Sequence, residues 1–182
     1  IVDRPSSVQS VVTIASAVDL YPGSSNDIAG SVMNNILGGG FSGRLFANLR
    51  EKHGFTYGAY SSLSASRQIG LFQAEASVRN DKTDSSVQEL LREINILRNE
   101  QVGDDELNRM KNYLSGGFAR SLENPATIAN FALNIARNKM PADYYQKYLT
   151  NLAAVDATKV KEVAQLFMNP KQMHIVLSLI HI

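Results

Sequence analysis

Arg50 and Tyr57 lie seven positions apart in the sequence, on either side of Gly54. A guanidinium offers several fixed hydrogen-bond donors and stays charged, whereas a phenol offers one movable donor. Together, two such groups can hold a carbonyl oxygen and stabilise the negative charge that develops on it during a reaction. Neither group can activate water by itself, so the pair predicts a supporting role in catalysis at a carbonyl group.

The elements around the pair determine whether the two side chains can meet. A short helix is predicted after Ser42, with Leu45 and Leu49 on its buried face, and Gly54 is placed to end it in a left-handed conformation. Arg50 would then lie in the last helical turn, and the following strand would bring Tyr57 back beside it. On spacing alone, a simpler alternative is preferred, in which Arg50 complements the helix dipole and Tyr57 is a half-buried strand residue.

Three glycines precede this helix and formally fit the pattern GxGxxG at Gly38, Gly40 and Gly43. The dinucleotide-binding pattern follows a strand, whereas these glycines follow a helical pattern, and Arg44 and Leu45 do not supply the lysine and hydroxyl of a P-loop. A nucleotide site is therefore disfavoured. Two alternatives remain open: a helix stop that lets two helices pack closely, or a bare backbone surface over which a peptide can slide.

The three histidines do not predict a metal site. His53, His174 and His181 lack the HxxEH spacing that would place two ligands and a carboxylate base on one helix face. On an extended strand, residues seven apart point to opposite faces, so His174 and His181 are not a natural ligand pair. The chain also has no cysteine. We expect no metal to be bound by this chain.

Composition predicts an ordinary globular domain. The 182 residues are 44% hydrophobic, and 18 Lys and Arg balance 17 Asp and Glu, so neither a nucleic acid nor an anionic membrane is implied as a partner. No apolar run approaches the roughly 20 residues that span a bilayer. We expect one domain over residues 1–182. The chain begins at Ile1 without methionine, and we expect it to be part of a longer protein.

The periodicity of apolar residues predicts an α+β fold with a mostly antiparallel sheet covered on one side by helices. Strands are predicted over residues 8–18, then as a hairpin over residues 55–65 and 71–78, and finally over residues 173–180, which are apolar on both faces as in a well-buried strand. A helix is predicted from Asn26. Apolar residues that recur at helical spacing predict five further helices, and the first apolar residues of these are Val87, Leu107, Ile128, Tyr144 and Val160.

The segment around the pair also resembles a known family. Residues 37–61 read LGGGFSGRLFANLREKHGFTYGAYS, and they resemble the signature of the second half of zinc peptidases of the insulinase/pitrilysin (inverzincin) family. In that signature, a glycine-rich turn precedes S-x-R-L-F-x-x-L-R-x-x-x-G-x-x-Y. The rest of the chain, to about Leu179, resembles the same half-domain more diffusely.

The resemblance implies a division of labour between two halves. In the family, one half carries HxxEH and binds zinc, and the other lacks it and lends an arginine and a tyrosine to the substrate; these match Arg50 and Tyr57. By the same resemblance, the residues that would line the entrance of the substrate cavity are Gly38, Gly39, Gly40 and Phe41. This chain would be the zinc-free half of a metalloendopeptidase, inactive alone, and the zinc of the complete enzyme would be bound by the missing half.

The resemblance also implies partners and a location. The expected partners are an N-terminal zinc-binding half, as a domain or a separate subunit, and an unfolded peptide substrate that binds as an extended strand. Two copies of the fragment could pair in place of the missing half. Analogy with bacterial relatives implies the periplasm or cell envelope. Some family members have lost catalysis, so a scaffold or peptide-binding subunit is the alternative function.

Overall fold

One antiparallel sheet of four strands organises residues 9–178, the part of the chain that the computed structural model describes. The strands are β1 (Gln9–Val18), β2 (Thr56–Ser64), β3 (Gly70–Arg79) and β4 (His174–Ser178), in the order β2-β3-β1-β4. In register, Val12 faces Ala76 and Ile14 faces Ala74 across the β1–β3 pair. β2 and β3 form the predicted hairpin.

The two faces of the sheet differ in burial because side chains alternate along each strand. In β3, the buried residues Phe72, Ala74, Ala76 and Val78 alternate with residues that are exposed or half-buried, among them Glu75. The buried residues are those that the period-2 pattern of the sequence places on one apolar face. The opposite face of the sheet is therefore open.

Seven α-helices lie in the described part of the chain: α1 (Asp27–Gly38), α2 (Arg44–Phe46), α3 (Thr83–Asn99), α4 (Asp104–Ser121), α5 (Pro125–Asn138), α6 (Tyr148–Ala154) and α7 (Ala157–Phe167). α2 continues directly into a π-helical segment, Ala47–Lys52. Within the residues described, no helix is long and apolar enough to cross a bilayer.

The hydrophobic core lies between the buried sheet face and three of these helices. α1 and α3 contact the strands, and α7 packs against both helices. Phe72 of β3, Met33 of α1, Leu90 of α3 and Phe167 of α7 are all at most 2% exposed. This arrangement confirms the predicted α+β fold with helices on one side of an antiparallel sheet.

The final strand differs from the prediction. β4 exists, but all five of its residues are exposed, and Val176 is 59% exposed. β4 is the edge strand of the sheet and, among the described residues, pairs only with β1. An apolar pattern on both faces thus occurs here in an edge strand, and the prediction of a well-buried strand is wrong for residues 174–178. Residues 179–180 of the predicted strand lie outside the described part.

Two helices of the second half also differ from the sequence expectation. α5 has the predicted apolar stripe, but none of its residues is buried, and Ile128 is 58% exposed. α6 begins at Tyr148, not near Tyr144. Tyr144 instead lies in a turn, where its hydroxyl donates to Asp27 at 2.9 Å, and burial together with this carboxylate strongly raises its pKa.

Candidate functional site

Arg50 lies in the π-helical segment that follows α2, and buried leucines fix the orientation of that segment. Leu45 and Leu49 are fully buried, whereas Arg50 is exposed. The wider winding is visible in the hydrogen bond from the His53 N–H to the Asn48 carbonyl, which spans five residues at 3.1 Å. Gly54 then adopts φ +62°, which confirms the predicted left-handed end of the helix.

Two contacts hold the Arg50 side chain. Its Nη1 donates to the main-chain carbonyl of Tyr57 at 2.9 Å. Its guanidinium carbon also lies 4.8 Å from the centre of the Phe46 ring, in a cation–π arrangement. Arg50 is therefore hydrogen-bonded to the main chain of Tyr57, the residue with which it was predicted to act.

Tyr57 lies at a β-bulge near the start of β2. Thr56 pairs with Val78 and Ala59 with Ala76, so that Tyr57 and Gly58 together stand opposite Ser77. The Thr56 hydroxyl stabilises this bulge, since it accepts from the Gly58 N–H at 3.1 Å and lies 2.5 Å from the Ser77 carbonyl oxygen. Tyr57 is 82% exposed, so the alternative of a half-buried strand residue is not observed.

Arg50 and Tyr57 line the same cavity, which has a volume of about 810 Å³. Gly54, Arg79 and Asp81 also line this cavity. The Asp81 carboxylate lies 3.4 Å from the Arg79 guanidinium. Two guanidiniums and one carboxylate leave the lining net positive. Such a cavity favours a ligand that carries negative or partly negative oxygen atoms.

An aromatic cluster of Phe41, Phe46 and Tyr60 connects the glycine-rich turn to this site. Phe41 packs edge-on against Phe46, with ring centres 5.1 Å apart, and against Tyr60 at 6.2 Å. Phe41 is nevertheless 71% exposed. Phe46 also contacts the Arg50 guanidinium. Phe46 therefore lies between Phe41 of the glycine-rich turn and Arg50, in contact with both.

The four predicted substrate-binding residues occupy different environments. Gly39 and Phe41 are exposed and Gly40 is half-buried, whereas Gly38 is buried as the last residue of α1. A Cβ built on Gly38 would lie 2.6 Å from the backbone nitrogen of Ser61 in β2. The same Cβ would lie 2.9 Å from the Leu45 side chain of α2, so Gly38 fits the alternative of two closely packed helices. None of the four is among the residues lining the cavity that contains Arg50 and Tyr57.

Alanine substitutions at two of these glycines should separate packing from exposure. We expect Gly38→Ala to lower the free energy of unfolding by about 2 kcal/mol, because the added Cβ forces α1 and β2 apart. Gly40→Ala is the matched control, since a Cβ there meets no atom within 4 Å; its effect should stay within about 0.5 kcal/mol. Denaturant unfolding measures both, and equal effects would contradict the packing role of Gly38.

The two histidines in the described part of the chain lie at different elements of the fold. His53 follows the π-helical segment and stacks on Phe55, with ring centres 4.8 Å apart, and His174 lies on the exposed strand β4. His181 lies outside the described residues. Within residues 9–178, no three His, Cys, Asp or Glu side chains are grouped so that they could hold a metal ion.

Sequence reasoning missed three residues that support the site. Thr56 stabilises the bulge at Tyr57, Tyr60 belongs to the aromatic cluster, and the buried Asn48 binds two carboxylates of α3. Thr56 and Tyr60 lie within three positions of Tyr57, so the signature segment itself was the available signal. For Asn48, the only indication in the sequence is weak: it is a polar residue next to Leu49, which is predicted to be buried.

Comparison with known proteins identifies the family. Residues 3–114 match the family described as the peptidase M16 inactive domain. The chain is 33% identical over 99 residues to an uncharacterised zinc protease of Streptomyces coelicolor and 32% identical over 127 residues to one of Rickettsia felis. These matches cover 54% and 66% of this chain, but only 22% and 30% of the relatives, so the chain spans a minor part of their length.

Solved structures show the same fold. A crystal structure of a peptidase M16 inactive domain from Pseudomonas fluorescens superimposes with a TM-score of 0.88 at 24% identity, over 97% of this chain and 42% of that one. The periplasmic protease PqqL from Escherichia coli gives a TM-score of 0.81 at 14% identity, over 98% of this chain and 20% of that one. As the resemblance of the signature segment predicts, the chain belongs to the peptidase M16 inactive-domain family, and its relatives include proteins named as zinc proteases.

Proposed function

We propose that this chain is the zinc-free half of a metalloendopeptidase and that it contributes substrate binding and oxyanion stabilisation to peptide-bond hydrolysis. The main support is that Arg50 and Tyr57 line one cavity, where the Tyr57 side chain is exposed at the β-bulge. The names of the relatives as zinc proteases support the reaction class.

Arg50 is suited to hold a carbonyl group of the bound peptide. Its Nη1 bonds the Tyr57 carbonyl, and a guanidinium has five N–H donors, so others remain for a ligand. The Phe46 ring, whose centre lies 4.8 Å from the guanidinium carbon, also limits the positions that the guanidinium can take. The side chain therefore loses little further freedom when the peptide binds.

Tyr57 is suited to donate a hydrogen bond to the oxygen that becomes negative during hydrolysis. The bulge fixes its backbone, while the exposed ring can still turn toward a ligand. A single donor that meets the developing charge in the transition state accelerates the reaction more than it strengthens substrate binding.

Zinc does not fit the described residues of this chain, which offer no cluster of ligands. In our proposal, zinc belongs to the N-terminal half, as a domain of the same protein or as a separate subunit, where it would activate water. The roles assigned here to Arg50 and Tyr57 concern only the binding and polarisation of the peptide.

The substrate would be an unfolded peptide in extended conformation, since a strand-like ligand can pair through its backbone with an edge strand of the sheet, and β2 is such an edge. A periplasmic location is proposed because PqqL, a structural neighbour, is a periplasmic protease. The alternative of a scaffold subunit is less well supported, because peptide binding alone does not require an exposed phenol and a guanidinium that line the same cavity.

Metal analysis and a peptidase assay test the proposal on this chain alone and on the complete protein. We expect bound zinc and cleavage of an unfolded peptide only in the complete protein, because this chain supplies donors but no water-activating centre. Peptide cleavage by this chain alone, or none by the zinc-loaded complete protein, would contradict the proposal.

A further inference from the structure

Asn48 is a buried polar residue between the helix that carries Arg50 and α3. Its side chain is oriented toward α3, and the residue is 6% exposed. Its Nδ2 donates to Glu89 Oε2 at 2.8 Å and to Glu93 Oε1 at 2.6 Å. Both hydrogens of one amide are thus used to bind two carboxylates that lie one turn apart on α3.

The amide stabilises a pair of acidic groups that would otherwise repel each other. The hydrogen bond from Asn48 is the main cause that lowers the pKa of Glu89, whereas burial raises the pKa of Glu93. Arg44 and Arg92 also face this pair from the two helices and favour its charged form. A side chain without donors at position 48 would leave the carboxylates of Glu89 and Glu93 without the hydrogen-bond donor that they share.

The same residue defines the winding of the segment that bears Arg50. The Asn48 carbonyl accepts the five-residue hydrogen bond from His53, and Arg50 follows two positions later. A π-helical turn holds an extra residue and shifts the side chains that follow it around the helix axis. Such a turn is disfavoured on its own and persists where tertiary contacts stabilise it.

We propose that Asn48 is a positioning residue for Arg50: by binding Glu89 and Glu93, it holds the π-helical turn in the winding that lets the guanidinium reach the Tyr57 carbonyl and the cavity. This inference rests on the proposed role of Arg50 in substrate binding. The competing interpretation is that Asn48 only joins two helices and contributes to stability.

A double-mutant cycle in the complete protein separates these interpretations. Asn48→Ala should lower kcat/KM for peptide cleavage by about 10-fold, because a misoriented donor loses much of its effect. In the Arg50→Ala background, the same substitution should change kcat/KM by less than about 2-fold, since the residue through which it acts is gone. The loss of thermal stability should be the same in both backgrounds.

Asn34→Ala is the matched control. Asn34 is also a buried asparagine, at 8% exposure, and its Nδ2 donates to the Ser61 carbonyl at 3.3 Å, which joins α1 to β2 without involving α3 or the Arg50 segment. We expect a comparable loss of stability, with kcat/KM changed by less than about 2-fold.

If Asn48→Ala fails to fold, Glu93→Leu tests the same contact more mildly, since it removes one of the two acceptors and keeps most of the volume. We then expect about a 3-fold fall in kcat/KM that disappears in the Arg50→Ala background. Glu93→Gln retains an acceptor for the amide and should restore most of the activity.

The outcomes separate the two proposals. The positioning role would be overturned if Asn48→Ala lowered kcat/KM equally with and without Arg50, or if the control Asn34→Ala lowered it as much. Either result would leave the proposed function of Arg50 intact. If Arg50→Ala itself leaves kcat/KM unchanged, the proposed function of Arg50 fails, and the positioning role fails with it.

Discussion

Substitution of Tyr57 by phenylalanine should lower the kcat of the complete protein by about 10²-fold or more, with little change in peptide affinity. The substitution removes only the hydroxyl, and the ring is 82% exposed, so the fold should be unaffected. Loss of one donor to a developing oxyanion costs about 10² to 10³ in kcat. Steady-state kinetics with an unfolded peptide measures the effect.

Tyr113→Phe provides the control for this experiment. Tyr113 is also an exposed tyrosine, at 57%, but it lies on α4. Removal of its hydroxyl should leave kcat and KM unchanged within about 2-fold, as expected for a surface site without a role. If the kcat of Tyr57→Phe equals that of this control, Tyr57 has no role in catalysis.

Arg50→Ala should reduce kcat/KM by about 10- to 100-fold, and part of the change should appear as a higher KM. A hydrogen bond to a charged group contributes about 1.5–3 kcal/mol, and every 1.4 kcal/mol corresponds to a factor of ten. The substitution also removes the 2.9 Å contact that holds the Tyr57 carbonyl. The same peptide assay measures this prediction.

Arg50→Lys tests whether geometry or charge carries the effect of Arg50. Lysine retains the positive charge but loses the planar fork that donates to Tyr57 and lies over Phe46. We expect at least half of the loss in free energy that alanine causes. Arg120→Ala, an exposed arginine on α4, is the control, and an effect equal to that of Arg50→Ala would point to net charge rather than to the site.

The sheet and its buried face could be predicted from the sequence because burial alternates with period two. Phe72, Ala74, Ala76 and Val78 form a buried face in the structure as they do in the pattern. The left-handed Gly54 was equally predictable, since glycine pays no Cβ penalty at φ +62°. The alternation of apolar residues and the glycine at the helix end are visible in the local sequence alone.

Burial of β4 and α5 could not be predicted, because a pattern shows which residues are apolar but not whether another element covers them. Ile175, Val176 and Leu177 give β4 two apolar faces, yet the strand lies at the sheet edge. In α5, Phe131 stacks on Tyr145 with ring centres 3.7 Å apart, while Ile128 and Leu133 remain exposed.

The proximity of Arg50 and Tyr57 could be predicted, but not the means by which each is held. The π-helical winding depends on the contact between Asn48 and α3, some forty residues away in sequence. The bulge at Tyr57 depends on the register between β2 and β3, to which Thr56 contributes through Ser77. Both are tertiary features that no local pattern encodes.

In the proposed function, Arg50 and Tyr57 hold the carbonyl groups of a peptide that is cleaved at the other half. A crystal structure of the complete protein, freed of zinc to prevent turnover and bound to a peptide substrate, tests it most directly. We predict that the Tyr57 hydroxyl lies about 2.7–3.1 Å from the oxygen of the scissile carbonyl, with the Arg50 guanidinium bonded to a neighbouring carbonyl of the peptide. A bound peptide that contacts neither side chain would contradict the account.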